Sequence, residues 1–259
     1  MSMQSVVPGL APSEPLPLRR RRCYLVRHGD VNYFTDDGKA LDPRSVELSD
    51  KGVHQVLKLS QMLKGIAFDR AMCSDYPRAR QTAELLLGNQ KNILEQTETL
   101  REIRAGRLRD IEPHDRHDRV CFAYETISEA DGTFLGGERW DAFETRVLEQ
   151  FLHLIHEPDW TSLLIVSHDA VNRMLLTWAM GSDRRNAQSL EQDPACLNII
   201  DLDMVGAQVS RRLIRMINVT PYDLCKLADP KTVMERIHAQ LAAPVSPATH
   251  HLEPRREQQ

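Results

Sequence analysis

A histidine between an arginine and a glycine, Arg27-His28-Gly29, directly follows a short apolar run at residues 23–26. The run predicts a buried strand, so the three residues would stand where that strand leaves the core. An imidazole is a usable nucleophile near neutral pH, and a guanidinium can bind phosphate oxygens with its fork of donors. The glycine would let backbone N–H groups approach an anion. The motif indicates phosphoryl transfer through a phosphohistidine, although a histidine at a strand end can also be structural.

Three further segments carry side chains that such a site would need. Arg78 lies in a stretch, residues 74–83, that leaves a strand and enters a helix, where N–H groups and a guanidinium can face an anion. Glu102 has apolar neighbours, and a carboxyl in such surroundings can have a raised pKa and donate a proton. His168 follows a second buried run. Taken singly, these would be a surface arginine, a solvated carboxylate and a structural histidine, so only their combination indicates a site.

The elements that must position these side chains alternate between strand and helix. Strands are predicted near residues 22–27, 70–73, 92–96, 162–167, 198–203 and 211–219, and helices near 49–63, 77–87, 137–156, 169–180 and 224–241. Such alternation implies right-handed crossovers and a mainly parallel sheet, in which ligands bind beyond the carboxyl ends of the strands. The predicted fold class is α/β, a three-layer α/β/α sandwich with helices on both faces of a mainly parallel central sheet.

One catalytic domain is predicted over residues 21–243, between two poorly structured ends. Residues 1–20 are rich in proline and predict a disordered arm, and residues 244–259 predict a flexible tail. The arginine run at 19–22 is interpreted as a solvated lead-in to the first strand, with an anion-binding patch as the alternative. Residues 104–135 lack a clean period and predict a partly helical insertion, or lid, over the site.

Composition and charge narrow the class of function. The net charge of −4, from 33 basic and 37 acidic residues, argues against nucleic acid as the main partner. No apolar run is long enough to span a bilayer, and we expect no secretory signal and no membrane partner. The five cysteines are widely spaced, which is typical of buried thiols in a reducing, cytoplasmic compartment rather than of disulfides or a zinc site.

Together, two strand-end histidines, two arginines and one carboxyl, in this order, resemble the histidine phosphatase superfamily. That group includes the cofactor-dependent phosphoglycerate mutases and many small-molecule phosphatases, and this chain is more similar to its phosphatase branch. The resemblance runs from about Cys23 to Leu224 and includes two further pieces. These are Leu48-Ser49-Asp50-Lys51-Gly52 with Gln55, and Gly136-Gly137-Glu138 with Arg146-Val147.

The resemblance implies a role for each matching residue. His28 would become the phosphohistidine, and Arg27, Arg78 and His168 would complete the phosphate pocket. Glu102 would protonate the leaving oxygen and then deprotonate the attacking water. No cofactor or metal is implied, because the cationic side chains supply the positive charge. The predicted substrate-binding residues are Arg27, Gly29, Asn32, Arg78, His168 and Asp169.

Several positions depart from the family pattern. Asp30 and Val31 stand where Glu and then Thr or Ser are usual, and Phe34 stands where asparagine is common, with Asn32 two positions away. Asp169 replaces the usual glycine after the second histidine. Its carboxylate would repel phosphate unless it points away, and capping of the following helix would be one reason for it to do so.

The predicted function is hydrolysis of a small phosphorylated metabolite, a phosphomonoester, without a metal. Two alternatives on the same fold remain open: a phosphoglycerate mutase-like phosphotransferase, and a binding protein that has lost catalysis. A metal site at residues 114–118 is a weaker alternative, because arginine interrupts the histidine pair. A homodimer is left open, and the sequence does not identify the substrate.

Overall fold

The computed structural model describes residues 18–35 and 39–242. Its strands are β1 (Leu18–Arg27), β2 (Arg70–Ser74), β3 (Leu94–Thr97), β4 (Ser162–Ser167), β5 (Leu197–Val205) and β6 (Gln208–Val219). Its α-helices are α1 (Asp50–Met62), α2 (Pro77–Leu87), α3 (Arg116–Cys121), α4 (Trp140–His156), α5 (Asp169–Met180) and α6 (Val233–Ala242). The predicted bounds of α2, β4 and α5 agree with the structure at both ends.

The six strands form one sheet in the order β3-β2-β4-β1-β5-β6. The pairs β3–β2, β2–β4 and β4–β1 are parallel, whereas β5 runs antiparallel to both of its neighbours. Five of the six strands therefore point the same way, since β6 is antiparallel to an antiparallel strand. The sheet is mainly parallel, as predicted.

Helices cover both faces of the sheet, because successive side chains of a strand point to opposite sides. On β1, Tyr24 and Val26 join the core beneath α1 and α2, while Cys23 and Leu25 join the core beneath α4 and α5. The predicted α/β/α sandwich is confirmed.

The first strand begins earlier than predicted and contains the arginine run. Arg20 and Arg22 lie opposite Asp203 and Asp201 on β5 and form ion pairs of 2.7 and 2.6 Å. Arg21 points to the other face, where its guanidinium is buried and donates to backbone carbonyls in the last turn of α4 and just after it. The run is thus part of β1 rather than a lead-in to it, and its alternate arginines, which stay partly exposed, each meet a carboxylate of the partner strand. The predicted arm at residues 1–20 loses residues 18–20 to β1, and the rest of the arm and the tail at 244–259 lie outside the described residues.

Two helices begin later than their apolar pattern predicted. Before α4, Gly136 adopts a φ of +74°, and a Cβ on Gly137 would lie 2.1 Å from the carbonyl oxygen of Arg104. Before α6, Thr232 and Glu235 exchange side-chain and backbone hydrogen bonds of 3.2 and 2.7 Å, which is a capping box. Helix α6 therefore starts at Val233 rather than near residue 224.

The insertion at residues 104–135 contains α3 and short 3₁₀ turns at Leu108–Asp110 and Ala123–Ser128. Its Tyr124 and Phe134 are buried against Trp140 of α4. On its outer side, the His117 ring of α3 lies 5.2 Å from the His238 ring of α6. The insertion thus belongs to the core and supports α6. Across the described ranges, the structure contains no helix of the length and apolarity that a membrane crossing requires.

Candidate active site

Two neighbouring parallel strands end side by side and place two histidines together. Arg27 of β1 is in register with Ser167 of β4, and the next residue of each strand is a histidine. The His28 N–H donates to the carbonyl oxygen of Ser167 at 3.0 Å, and the His28 and His168 rings lie 5.1 Å apart. Both side chains are buried. The adjacency follows from the pairing of β1 with β4, 140 residues apart in the chain.

Arg78 joins the two histidines from the first turn of α2. Its Nε donates to His28 Nε2 at 3.0 Å, and its Nη2 lies 3.3 Å from His168 Nδ1. Its Nη1 donates to the carbonyl oxygen of Pro43, and its guanidinium lies 4.9 Å from the ring centre of Tyr76. With 1% of its surface exposed, Arg78 is fixed in the pocket rather than lying on the surface of α2.

The hydrogen bonds fix which nitrogen of each histidine carries a proton. His28 Nδ1 lies 2.7 Å from the carbonyl oxygen of Gly29, which can only accept, so Nδ1 carries the proton and Nε2 presents its lone pair. Burial, and then the charges of Arg78 and Arg27, hold the pKa of His28 well below its usual value. His28 is therefore a neutral imidazole with its lone pair in the pocket.

His168 has the opposite arrangement of protons. A guanidinium can only donate, so His168 Nδ1 accepts from Arg78 and Nε2 carries the proton. That Nε2 is buried and has no hydrogen-bond partner among the residues that the structure describes. Burial, followed by the charge of Arg78, lowers the pKa of His168 as well. The pocket thus contains a neutral imidazole N–H donor that no group within residues 18–35 and 39–242 uses.

Arg27 lines the same cavity as His28, and the backbone of Gln192 holds its guanidinium. Its Nη1 donates to the carbonyl oxygen of Gln192 at 2.6 Å, while its Nε has no partner in the described part of the chain. Burial opposes the charge of Arg27, but nearby Asp169 raises its pKa overall. Arg27 therefore stays charged and keeps one donor free.

Gly29 is needed for packing at the end of β1. A Cβ at this position would lie 2.7 Å from the carbonyl oxygen of Gly52 and 2.9 Å from the side chain of Val56. The Gly29 N–H is already bound to Thr82 Oγ1 at 3.2 Å. The glycine lets the end of β1 pass close to α1, and its predicted N–H contact with phosphate would have to replace an existing bond.

Glu102 reaches the site from the loop after β3 and lies at the N-terminus of α5. Its Oε1 accepts from the backbone N–H groups of Ile103 and Ala170, both at 3.1 Å. Burial, and then the charge of Asp169, raise the pKa of Glu102 to about 7, against the lowering effect of Arg27, of the Ile103 N–H and of Arg78. The carboxyl can therefore both give and take a proton near neutral pH.

Asp169 is not the N-cap of α5 but its first residue, with His168 at the capping position. Its buried carboxylate accepts from Arg173 Nε at 2.6 Å. The sequence-based expectation of a cap was wrong, because an arginine four residues later gives the carboxylate a stronger partner. Asp169 points to that arginine, so its predicted contact with substrate has no support in the geometry.

A cavity of about 570 Å³ opens beside His28. Residues 27–33 and 49–51 form one side, which includes the predicted Asn32, and α6 and the residue before its cap form the other with Lys231, Val233, Arg236, Ile237 and Gln240. The insertion at 104–135 does not contribute to this lining, so its predicted action as a lid stays a prediction. The wall facing His28 comes instead from α6.

The histidines and aspartates of the alternative metal site at 114–118 are exposed and paired with each other. His114 lies 3.4 Å from Asp115, and His117 lies 2.7 Å from Asp118. Within residues 18–35 and 39–242, no three His, Cys, Asp or Glu side chains are grouped so that they could hold a metal ion.

Sequence reasoning missed three residues that shape the site: Arg173, Gln192 and Arg236. The i,i+4 spacing of Asp169 and Arg173 on a predicted helix was a signal for the first of them. Gln192 acts through its backbone carbonyl, and Arg236 depends on the docking of α6, so no local pattern could have indicated either.

Comparison with known proteins agrees with this geometry. The chain is 28% identical over 191 residues to the adenosylcobalamin/alpha-ribazole phosphatase of Escherichia coli, which is 70% of this chain and 90% of that protein. It is 25% identical over 224 residues to the 2-carboxy-D-arabinitol-1-phosphatase of Triticum aestivum, which is 83% of this chain and 43% of that protein.

The fold is shared with solved structures. The crystal structure of the alpha-ribazole phosphatase from Shigella flexneri matches 76% of this chain and 96% of its own, with a TM-score of 0.61 at 24% identity. A sequence profile of the histidine phosphatase superfamily (branch 1) matches residues 23–214, which include all five residues of the pocket and end before α6. The chain therefore belongs to the histidine phosphatase superfamily, branch 1.

Proposed function

We propose that this protein hydrolyses a small phosphomonoester through a phosphohistidine on His28 and needs no metal. One observation carries the proposal: a neutral, buried imidazole presents its Nε2 lone pair to the Arg78 guanidinium, beside a second imidazole. Phosphoryl transfer requires a nucleophile next to a phosphate ligand. The His28 lone pair and the Arg78 guanidinium can fill these two roles.

In the first step, His28 Nε2 attacks phosphorus and the P–O bond of the ester breaks. The electron pair of that bond goes to the leaving oxygen, which takes the proton of Glu102. In the second step, water gives a proton to the Glu102 carboxylate and attacks phosphorus. The N–P bond then breaks and returns its electron pair to His28. A carboxyl with a pKa of about 7 suits both directions of this proton transfer.

The charge on the transferred oxygens meets three groups that remain charged or carry a free donor. Arg27 Nε and the His168 Nε2–H have no partner among the described residues, and Arg78 makes charge-assisted contacts that an anion can take over. Guanidinium groups bind phosphate oxygens in a forked geometry. These groups can supply the electrostatic stabilisation that a metal provides in other phosphoryl-transfer enzymes.

The leaving group is proposed to extend from the phosphate site into the cavity between α1 and α6, which Arg27 and His28 border and to which Arg78, Glu102 and His168 do not contribute. About 570 Å³ accommodates a metabolite of nucleoside size. The two named relatives act on leaving groups of different chemistry, so neither substrate is assigned to this chain. A phosphometabolite panel that includes alpha-ribazole phosphate and 2-carboxy-arabinitol 1-phosphate would identify the substrate. We also propose a cytoplasmic location and no nucleic-acid or membrane partner, and a homodimer remains an alternative to a monomer.

The decisive experiment is to trap the phosphoenzyme. Brief incubation with labelled substrate should give an acid-labile, base-stable adduct on the peptide that contains His28. His28→Ala should lose both the adduct and turnover, by on the order of 10⁴-fold or more, whereas His54→Ala on the exposed face of α1 should lose neither. Full turnover by His28→Ala would refute the proposal. Release of phosphate to water rather than to a second alcohol separates a phosphatase from a mutase.

A further inference from the structure

A buried ion pair lies directly behind Glu102. Asp169 and Arg173 stand one turn apart on α5 with 3% and 2% of their surfaces exposed, and Arg173 Nε donates to Asp169 Oδ1 at 2.6 Å. The next residue after Asp169 is Ala170, whose N–H binds the Glu102 carboxylate at 3.1 Å. The two carboxyl groups therefore meet at the same helix N-terminus.

Arg173 is held in place on several sides. Its Nη2 donates to Glu191 at 2.9 Å, and its Nη1 donates to the carbonyl oxygen of Ala187 at 3.2 Å. The ring of Tyr124, from the insertion, lies 4.1 Å from its guanidinium carbon. A buried arginine with this many partners cannot swing away, so the carboxylate of Asp169 is also fixed.

We propose that Asp169, locked by Arg173, is a positioning residue whose negative charge keeps Glu102 protonated and ready to donate in the free enzyme. The inference rests on the proposed role of Glu102 as the general acid. It assigns to Asp169 an effect on the proton, in place of the contact with substrate that the sequence suggested.

The groups around Glu102 show why a neighbouring negative charge matters. Arg27 of β1 and Arg78 of α2 favour the carboxylate, and two backbone N–H groups donate to it. The Tyr124 phenol from the insertion stays neutral, since burial raises its pKa. Burial and Asp169 are the two influences that oppose ionisation of Glu102. Burial alone would have to overcome two guanidinium groups.

Arg173 also explains why Asp169 does not disturb phosphate binding. Its guanidinium lies between Asp169 and Glu191, so the three side chains together carry one net negative charge. The ion pair keeps the Asp169 carboxylate turned toward Arg173 on α5. The charge thus acts on Glu102 without placing a carboxylate oxygen among the phosphate ligands.

The test is the pH dependence of kcat/KM with two probes, glycerol phosphate and p-nitrophenyl phosphate. The glycerol of glycerol phosphate would leave as an alkoxide and needs the proton, so the wild-type rate should fall as the pH rises through the pKa of Glu102. In Asp169→Asn that fall should move to lower pH by about 1–3 units, the usual effect of one close charge. Glu191→Gln, which keeps the Asp169–Arg173 pair, is the matched control and should leave the fall where it is. Asp169→Ser, which also removes the charge, repeats the test if the amide is not tolerated.

Two failures can be told apart by including Glu102→Gln. If Glu102→Gln retains the fall at high pH, Glu102 is not the acid and that part of the proposed function is wrong. The second failure is one in which Glu102→Gln abolishes the fall, but Asp169→Asn lowers kcat/KM at every pH and leaves the pH of the fall unchanged. Asp169 would then have only a structural role, and the proposal for Asp169 would be overturned. The comparison is made on one substrate at a time, so the ionisation of the substrate itself cancels.

Discussion

The side chains that surround His28 are almost fully buried, whereas those that α6 presents to the neighbouring cavity range from the buried Val233, through the half-buried Arg236 and Ile237, to the exposed Gln240. Arg78 and His168 touch each other and hold fixed positions, while Lys231 lies at the surface. The pocket falls within the part of the chain that matches the family, and α6 lies beyond it. We infer that the buried pocket around His28 determines the chemistry and that the more open side of the cavity, at α6, determines the selectivity for substrate.

The largest effect is expected from Arg78→Ala, in the buried pocket around His28. The guanidinium contacts both imidazoles and is the central phosphate ligand of the proposal, so the rate should fall by on the order of 10³–10⁵-fold, as for other arginines that stabilise a transferred phosphoryl group. Alkyl and aryl phosphates should lose alike, because both transfer the same group. The measurement is kcat/KM for glycerol phosphate and p-nitrophenyl phosphate.

Arg80→Ala is the matched control for that change. Arg80 lies two residues further along α2, is half-exposed and pairs with Glu84 at 3.9 Å. It should retain wild-type rates. An Arg78→Ala protein that folds and turns over normally would show that the guanidinium is not needed for catalysis.

The sequence predicts the residues of the buried pocket better than it predicts the position of α6. Apolar runs locate β1 and β4, and their ends locate His28 and His168, because burial and period are local signals. That the two histidines touch depends on strand order, which no local pattern contains. The arginine run shows the limit clearly: Arg20 and Arg22 look solvated until β5 brings Asp203 and Asp201 opposite them. For α6, the capping box at Thr232 was a readable signal, but its position over the cavity depends on packing against α3.

A selective loss is expected from Glu102→Gln, which keeps the size of the side chain and removes its proton. Rates with alkyl phosphates should fall by on the order of 10²–10⁴-fold. The loss with p-nitrophenyl phosphate should be much smaller, because that phenolate leaves without protonation. The ratio of the two rates measures the effect.

Glu98→Gln, an exposed neighbour that pairs with Arg101, serves as the control for Glu102→Gln. It should alter neither rate. Equal losses on the two substrates in Glu102→Gln would mean that Glu102 shapes the pocket, and Asp30 or Asp169 would then be tested as the acid.

A smaller effect is expected at the rim of the cavity. Lys51 and Lys231 stand on its two sides, and both are exposed. Removing either charge with Lys51→Ala or Lys231→Ala should raise KM by less than about tenfold, since exposed charges contribute little and mainly affect encounter. The increase should shrink at high salt, where such charges are screened. Lys58→Ala, two turns along α1 from Lys51, should leave KM unchanged. If kcat of either lysine variant fell as much as kcat of Arg78→Ala, the cavity rim would take part in the chemistry and not only in substrate binding.

The smallest effect, none at all, is expected from chelation. In the proposal, Arg27, Arg78 and the His168 N–H meet the charge of the phosphoryl oxygens, and Glu102 moves the proton, so no step calls for a Lewis acid. Dialysis against EDTA should therefore leave kcat/KM unchanged for alkyl and aryl phosphates alike. A loss of turnover that added divalent metal restores would contradict this and would direct attention to His114 and His117. The variant His117→Ala would then decide whether the metal acts there. Since His117 packs against His238 of α6, kcat and KM should be followed separately, because a shifted α6 would change KM while a lost metal ion would lower kcat.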